Sequence, residues 1–347
     1  MFLTSEEQME KYLAVIKEVH QSCTTYDIHI HPFEVFFNPL DYKEDPHRKG
    51  LFSLGNIKYS KPTLQSLKSA LSKEEPSSLP DTRSLKFFLR RSYLHTGPFV
   101  FRSLLGIAKI DKGLLLPVGR GNADFEKQMT LMFRMYSGDK RFCIAGSIPD
   151  FIKNEEIQGF LKTQIDQYAI VAVKIHPNLS GIDLNEATGQ GRLESIIGAC
   201  SNLALPLIIH AGRSNHLTGS ASRFAEIANF KLLNLKTSAP IVIAHGGAYG
   251  IPADEIHEVV IPVLRELLDT NENLCIDISG LSFETIRQLL INIDIDKILF
   301  GSDALYYNPF AMEIRLLDAL ESVHLKIEES YMRIISQNIE QRAFHWK

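Results

Sequence analysis

Residues 205–212 read LPLIIHAG, a short apolar run that ends on a histidine and two small residues. A run of this length, apolar on both faces and bounded by turn residues, is a strand buried on both sides. The same form recurs upstream as IVAVKIHP at 170–177 and downstream as PIVIAHGG at 240–247. Working outward, TYDIHIHP (25–32), GLLLPVG (113–119), RFCIAGSIP (141–149), NLCIDIS (273–279) and KILFGSD (297–303) complete a series of eight.

The stretches between these runs have helical periodicity, as in DFEKQMTLMFRMYSG, EEIQGFLKTQIDQYA, RLESIIGACSNLA and HEVVIPVLRELLDTN. Strands alternating with helices predict a parallel sheet. Eight buried strands without a marked edge predict an α/β fold closed into a (β/α)8 TIM barrel. An open doubly wound sheet fits less well, because no GxGxxG follows the first strand. A length of 347 residues matches a single domain over residues 1–347. Residues 33–112 are too long for an ordinary strand-to-helix loop and read as a long helical insertion between strands 1 and 2, near the barrel mouth. It is either a rim embellishment or a lid. The C-terminal ESYMRIISQNIEQRAFHW reads as a closing helix on the barrel exterior.

Composition narrows the function classes. Hydrophobic residues make up 45% and charged residues 22%, which excludes a disordered or collagen-like chain. The formal net charge of -4 provides no basic field for phosphate, so a small-molecule substrate is expected and nucleic acid is not. Cys23, Cys143, Cys200 and Cys275 form no CxxC pair, and two of them sit inside strand-like runs, where free thiols pack as small hydrophobes. The N-terminus lacks the charged-then-apolar form of a signal peptide, and no apolar run is long enough to span a bilayer. The expected compartment is cytoplasmic, with no membrane partner; a homo-oligomer is compatible with all of this.

In a parallel barrel the C-terminal ends of all strands meet at one face, so residues distant in sequence converge there. His29 and His31, two apart on the first strand, point to the same side and can chelate. His176, His210 and His245 close strands 4, 5 and 6, and Asp303 closes strand 8. Five of the 12 histidines therefore occupy equivalent places. Any one alone is more often a hydrogen-bonded core residue; the joint pattern suits a divalent cation, zinc first, with manganese, iron or nickel also suited to imidazole and carboxylate. Arg120, Arg213, Tyr249, Tyr306 and Tyr307 follow strand ends closely enough to line the mouth, where an anionic substrate would suit the arginines, Arg213 foremost.

In this order DIHIHP, VKIHP, LIIHAG, IAHGG and ILFGSD resemble the amidohydrolase superfamily, specifically its amidohydrolase-related (amidohydrolase 2) branch of metal-dependent hydrolases and decarboxylases. The likeness runs from about Thr25 to the C-terminus. It implies a one-metal site of His29, His31, His210 and Asp303, with His245 similar to a histidine that polarises or protonates substrate. Asp303 then doubles as general base, and His176, Arg120, Arg213 and Tyr306 face the substrate. Some superfamily members carboxylate the strand-4 lysine to bridge two metals, which here would put Lys174 with His29, His31 and Asp303 around one ion and His210 with His245 around another. Alternatively Lys174 is unmodified and pairs with Asp27 or Asp303. The expected reaction is hydrolysis of a C–N or C–O bond in an amide, lactone or ester by metal-activated water. Nonoxidative decarboxylation of a small carboxylic acid stands second and a non-catalytic ligand-binding barrel third.

Overall fold

The computed structural model describes residues 6–32, 110–117, 124–214, 217, 219–304, 306–307, 309–342 and 344. The proposed insertion, up to residue 109, and Arg120 lie outside the described residues. Residues 110–112 already lead into the second strand.

Eight parallel strands run in sequential order: β1 (Tyr26–Ile30), β2 (Lys112–Leu115), β3 (Phe142–Gly146), β4 (Ala172–Ile175), β5 (Leu207–Gly212), β6 (Ile241–Tyr249), β7 (Leu274–Asp277) and β8 (Ile298–Leu299). Beyond β8 the chain returns to β1. Ile28 N donates to Phe300 O at 3.2 Å, His31 N donates to Ala304 O at 2.8 Å, and Ile30 bridges Ala304. The sheet is thus a nearly closed (β/α)8 barrel. Helices Asp124–Tyr136, Ile157–Tyr168, Ala187–Asn202, Ile261–Thr270, Phe283–Asn292 and Pro309–Ser322 cover its outside. The segment before Ile261 winds as a π-turn, Ile256–Val260, next to Pro262, which has no N–H to give an α-helical bond.

Period two divides the strand residues between two cores. Val173, Ile209, Ile243 and Ile276 join the large core under the helices, while Ala172, Ile208, Val242 and Cys275 form a smaller interior layer with Leu114 and Leu299. Strand 8 is shorter than KILFGSD suggests. After Leu299 the backbone bonds to β1 continue only at Phe300, Asp303 and Ala304, and a side chain supplements them: Asp27 accepts from Ser302 N at 2.9 Å and from Ser302 Oγ. All four cysteines are free.

Helix α1 (Glu6–Ser22) packs on the last helices through Tyr12, whose hydroxyl donates to Asp318 at 3.0 Å and to Glu321. The C-terminal segment does more than pack outside. Ile339 and Phe344 join the interior layer, and Asn338 Nδ2 donates to Ile295 O and Ile298 O, both at 2.8 Å. An apolar barrel end requires apolar cover, and these residues supply it. Among the described residues no helix is long and apolar enough to cross a membrane.

Candidate metal centre

One step above the interior apolar layer, period two delivers Lys174 after Ala172, His210 after Ile208 and Asp277 after Cys275. These side chains are buried, as are His29, His31, His245 and Asp303. The strand ends therefore hold a polar cluster closed off from water.

Two irregularities, on β1 and on β6, aim the histidines of those strands. Between Asp27 and Ile30 the register of β1 on β2 shifts, and a Cβ at Gly301 would come within 2.7 Å of His29 Cβ, so only glycine lets the β8 end approach His29. On β6 the stretch from Ala244 to Tyr249 faces only His210 to Gly212 of β5. His245 lies in that bulge with φ 56, and Asp303 has φ 60. Left-handed backbone is uncommon outside glycine and costs about 1–3 kcal/mol, so each needs a fastening. His245 N donates to Asp277 Oδ1 at 2.8 Å, and Asp303 N donates to His29 O at 2.8 Å.

Hydrogen bonds settle which nitrogens are available. His31 Nδ1 lies 3.0 Å from Leu116 O, a carbonyl that can only accept, so Nδ1 carries the proton and Nε2 the lone pair. His29 Nδ1 lies 2.9 Å from Asp277 Oδ2, which assigns its proton in the same way. The two Nε2 atoms then face each other at 3.1 Å, with Asp303 Oδ1 at 3.8 Å from His29 Nε2 and 3.6 Å from His31 Nε2. Burial, reinforced by the Lys174 charge, lowers His29 well below the usual imidazole range and His31 to about 3, so both rings are neutral near pH 7. Two lone pairs and a carboxylate oxygen converging on one point fit a divalent cation. His210 is not part of that close-set group; its Nε2 is buried without a hydrogen-bond partner, and burial lowers its ring well below the usual imidazole range.

A second group of three, His29, His245 and Asp277, is also close-set. Its donors are already committed to one another. Asp277 serves His29 Nδ1 with one oxygen and the His245 and Ser279 backbone N–H groups with the other, which is a hydrogen-bonded support rather than an ion site.

The remaining expected residues sort by position. His176 stacks on His210 with ring centroids 3.7 Å apart at 10°, and Tyr306 meets the edge of His31 at 6.2 Å. His245 has ring contacts with His29 at 4.7 Å and His210 at 5.0 Å. Its Nδ1 lies 2.8 Å from Ser279 O, so Nε2 is a lone pair, and burial pushes the ring below the usual range. With the ring neutral, the bare Nε2 of His245 is an acceptor. Lys174 meets neither expected carboxylate at close range: Nζ lies 3.2 Å from His29 Nε2, while Asp27 is occupied by Ser302 and by His29 N at 3.1 Å. Burial lowers Lys174 to about 8, opposed by the charges of Asp277 and Asp303.

Arg213 stands apart from the cluster. Its Nε donates to Glu226 at 2.6 Å and its terminal nitrogens to Glu255 at 3.1 and 2.6 Å, so its guanidinium ties the β5 end to two loop carboxylates instead of awaiting an anion. Asp277 and Ser279 were missed by the sequence reading, although NLCIDIS places a carboxylate at a strand end just as ILFGSD does.

A family model described as Amidohydrolase matches residues 155–313, which contain β4 to β8 but not the β1 histidines. No curated protein matches the sequence. Among solved structures, an amidohydrolase from Burkholderia multivorans with bound zinc aligns at TM-score 0.54 and 12% identity, covering 92% of this chain and 98% of that one. A 5-carboxyvanillate decarboxylase from Novosphingobium aromaticivorans, with bound manganese, aligns at 0.51 and 16%, covering 93% and 97%. A probable 2-pyrone-4,6-dicarboxylic acid hydrolase from Acinetobacter baumannii aligns at 0.50 and 16%, covering 92% and 98%. At these identities the likeness is one of fold.

Proposed function

We propose that this chain, which matches the Amidohydrolase family model over residues 155–313, is a metal-dependent hydrolase of a C–N or C–O bond in a small molecule. The observation that supports this most directly is the Asp303 carboxylate beside the paired Nε2 atoms of His29 and His31. His29, His31, His210 and Asp303 would hold the ion. A divalent cation so bound supplies Lewis acidity and lowers the pKa of a coordinated water to about 7. Asp303 accepts the proton of the attacking water as general base and returns it to the leaving group as the C–N or C–O bond breaks. His245, neutral with a bare Nε2, orients the substrate by accepting a hydrogen bond. His176 holds the His210 ring by stacking, and Tyr306 borders the entrance beside His31.

Nonoxidative decarboxylation is the second reading. It draws on the buried Lys174 ammonium, a counter-charge for a substrate carboxylate, and on the Novosphingobium decarboxylase sharing the fold. Zinc and manganese are the first ions to test, since both occur in barrels of this shape.

The deciding experiment measures metal per chain by elemental analysis, for the wild type and for His29→Ala. It is followed by a screen of amides, lactones and esters for acid release and of carboxylic acids for carbon dioxide. One equivalent lost in the variant, with hydrolysis, is the expected result. Two equivalents would favour a carboxylated Lys174, and carbon dioxide would favour the second reading. No metal after repletion with zinc, manganese or iron would overturn the proposal.

A further inference from the structure

We propose that Asp277 is a positioning residue that fixes the tautomer of His29, presenting its Nε2 lone pair to the ion, while seating the left-handed turn that carries His245. The proposal rests on the metal-dependent reading above.

Asp277 is fully buried at the C-terminal end of β7, and both of its oxygens are in use. Oδ1 accepts from His245 N at 2.8 Å, from Ser279 N at 3.0 Å and from Ser279 Oγ. Backbone N–H groups can only donate, so this oxygen is pinned and the carboxylate cannot rotate. Oδ2 is thereby held 2.9 Å from His29 Nδ1, where it can only accept, and the ring proton must sit on Nδ1. Ser279 Oγ agrees with the same assignment. Having given its proton to Asp277, it lies as an acceptor 3.0 Å from His29 Nδ1 and 2.9 Å from His245 Nδ1. One carboxylate on a strand without a ligand of its own therefore organises side chains from β1 and β6.

This arrangement makes an isosteric substitution informative. In Asp277→Asn the amide oxygen must face the two backbone donors, which leaves the NH2 group toward His29. Nδ1 must then accept, the ring proton moves to Nε2, and the nitrogen aimed at Asp303 and His31 loses its lone pair. Removing such a supporting partner typically lowers metal affinity by about 10–100-fold.

The test uses the full chain labelled with 15N-histidine, with His29 assigned by the signal lost in His29→Gln. Ring nitrogen shifts are read without metal, and Zn2+ affinity by competition with a chromophoric chelator. Expected are the Nδ1–H form of His29 in the wild type, the Nε2–H form in Asp277→Asn, and a 10–100-fold weaker Zn2+ affinity in that variant. Ser279→Ala, which keeps the carboxylate, should retain the Nδ1–H form. A merely structural role would lower the melting temperature of Asp277→Asn without moving the His29 tautomer, and that result would overturn the proposal. Should Asp277→Asn fail to fold, the wild-type spectrum alone decides, since an Nε2–H His29 in a metal-binding wild type removes the role of Asp277. A wild type that shows Nδ1–H but takes up no ion would instead sink the metal-dependent reading and leave the tautomer assignment standing.

Discussion

Along β4, β5 and β7 the inward residue changes from Ala172, Ile208 and Cys275 in one layer to Lys174, His210 and Asp277 two positions later. The lower layer is apolar, covered by Ile339 and Phe344, and gains from removal of hydrocarbon from water. The upper layer buries imidazoles, carboxylates and an ammonium, each of which costs free energy unless hydrogen-bonded or ion-bound. Its members are tied accordingly, Asp27 to Ser302, His29 to Asp277 and His31 to Leu116 O. The difference teaches that one set of strands can divide stability and chemistry by height, because period two changes the layer without changing the backbone.

The comparison breaks first at Asp303. Asp303→Asn should lower turnover by about 10²–10⁴-fold while the histidines retain the metal. Turnover with the identified substrate and elemental analysis together check this, and near-normal turnover would remove Asp303 as the base. The converse substitution belongs to the lower layer. Leu114→Ala, at a fully buried position, should cost about 2–5 kcal/mol in denaturant unfolding and leave metal stoichiometry unchanged. Loss of metal in that variant would show that the layers are not separable.

Outside both layers the effects shrink. Arg213→Ala removes ion pairs to Glu226 and Glu255 that are partly exposed, so after solvent screening the cost should be about 1 kcal/mol or less. The KM for any acidic substrate should stay unchanged; a rise of tenfold would restore Arg213 as an anion clamp. The smallest expected effect is at α1. Hydrogen bonds from Lys11, Tyr12 and Gln8 lower Glu321 from 4.5 to about 2. A depressed carboxylate contributes stability above its unfolded value, and that contribution fades as pH falls from 4.5 through 2. The melting temperatures of wild type and Glu321→Gln should therefore differ slightly at pH 7, draw closer by pH 3 and converge only below about pH 2. An unchanged gap at pH 3 would mean that the ionised carboxylate is not what ties α1 to its neighbour.

Much of this was legible from residues. His29, His31, His210, His245 and Asp303 stand at the ends of apolar runs, and in a parallel barrel an end is an address. Asp277 obeys the same rule, but a lone carboxylate at a strand end is a weaker signal than a set of histidines. Arg213 misled for a different reason. A guanidinium after HAG is equally ready for a substrate or for Glu226 and Glu255, and those acids lie in other segments whose approach no local pattern reveals. The early end of β8 was hidden likewise, since the group that takes the Ser302 N–H is a side chain from β1, Asp27.

Residue order alone settles the architecture and the chemical character of the mouth. Hydrophobic period and strand-end residue types are local, and local pattern is sufficient to set which side chains face inward and at which end. Which atom of each side chain is available emerges only from the folded barrel. The Nε2 of His29 is presented because Asp277 claims Nδ1, and the Nε2 of His245 is left bare because Ser279 O claims its Nδ1–H while burial lowers the ring below the usual range. Proton position depends on partners brought from distant strands, and that information exists only once the barrel has closed.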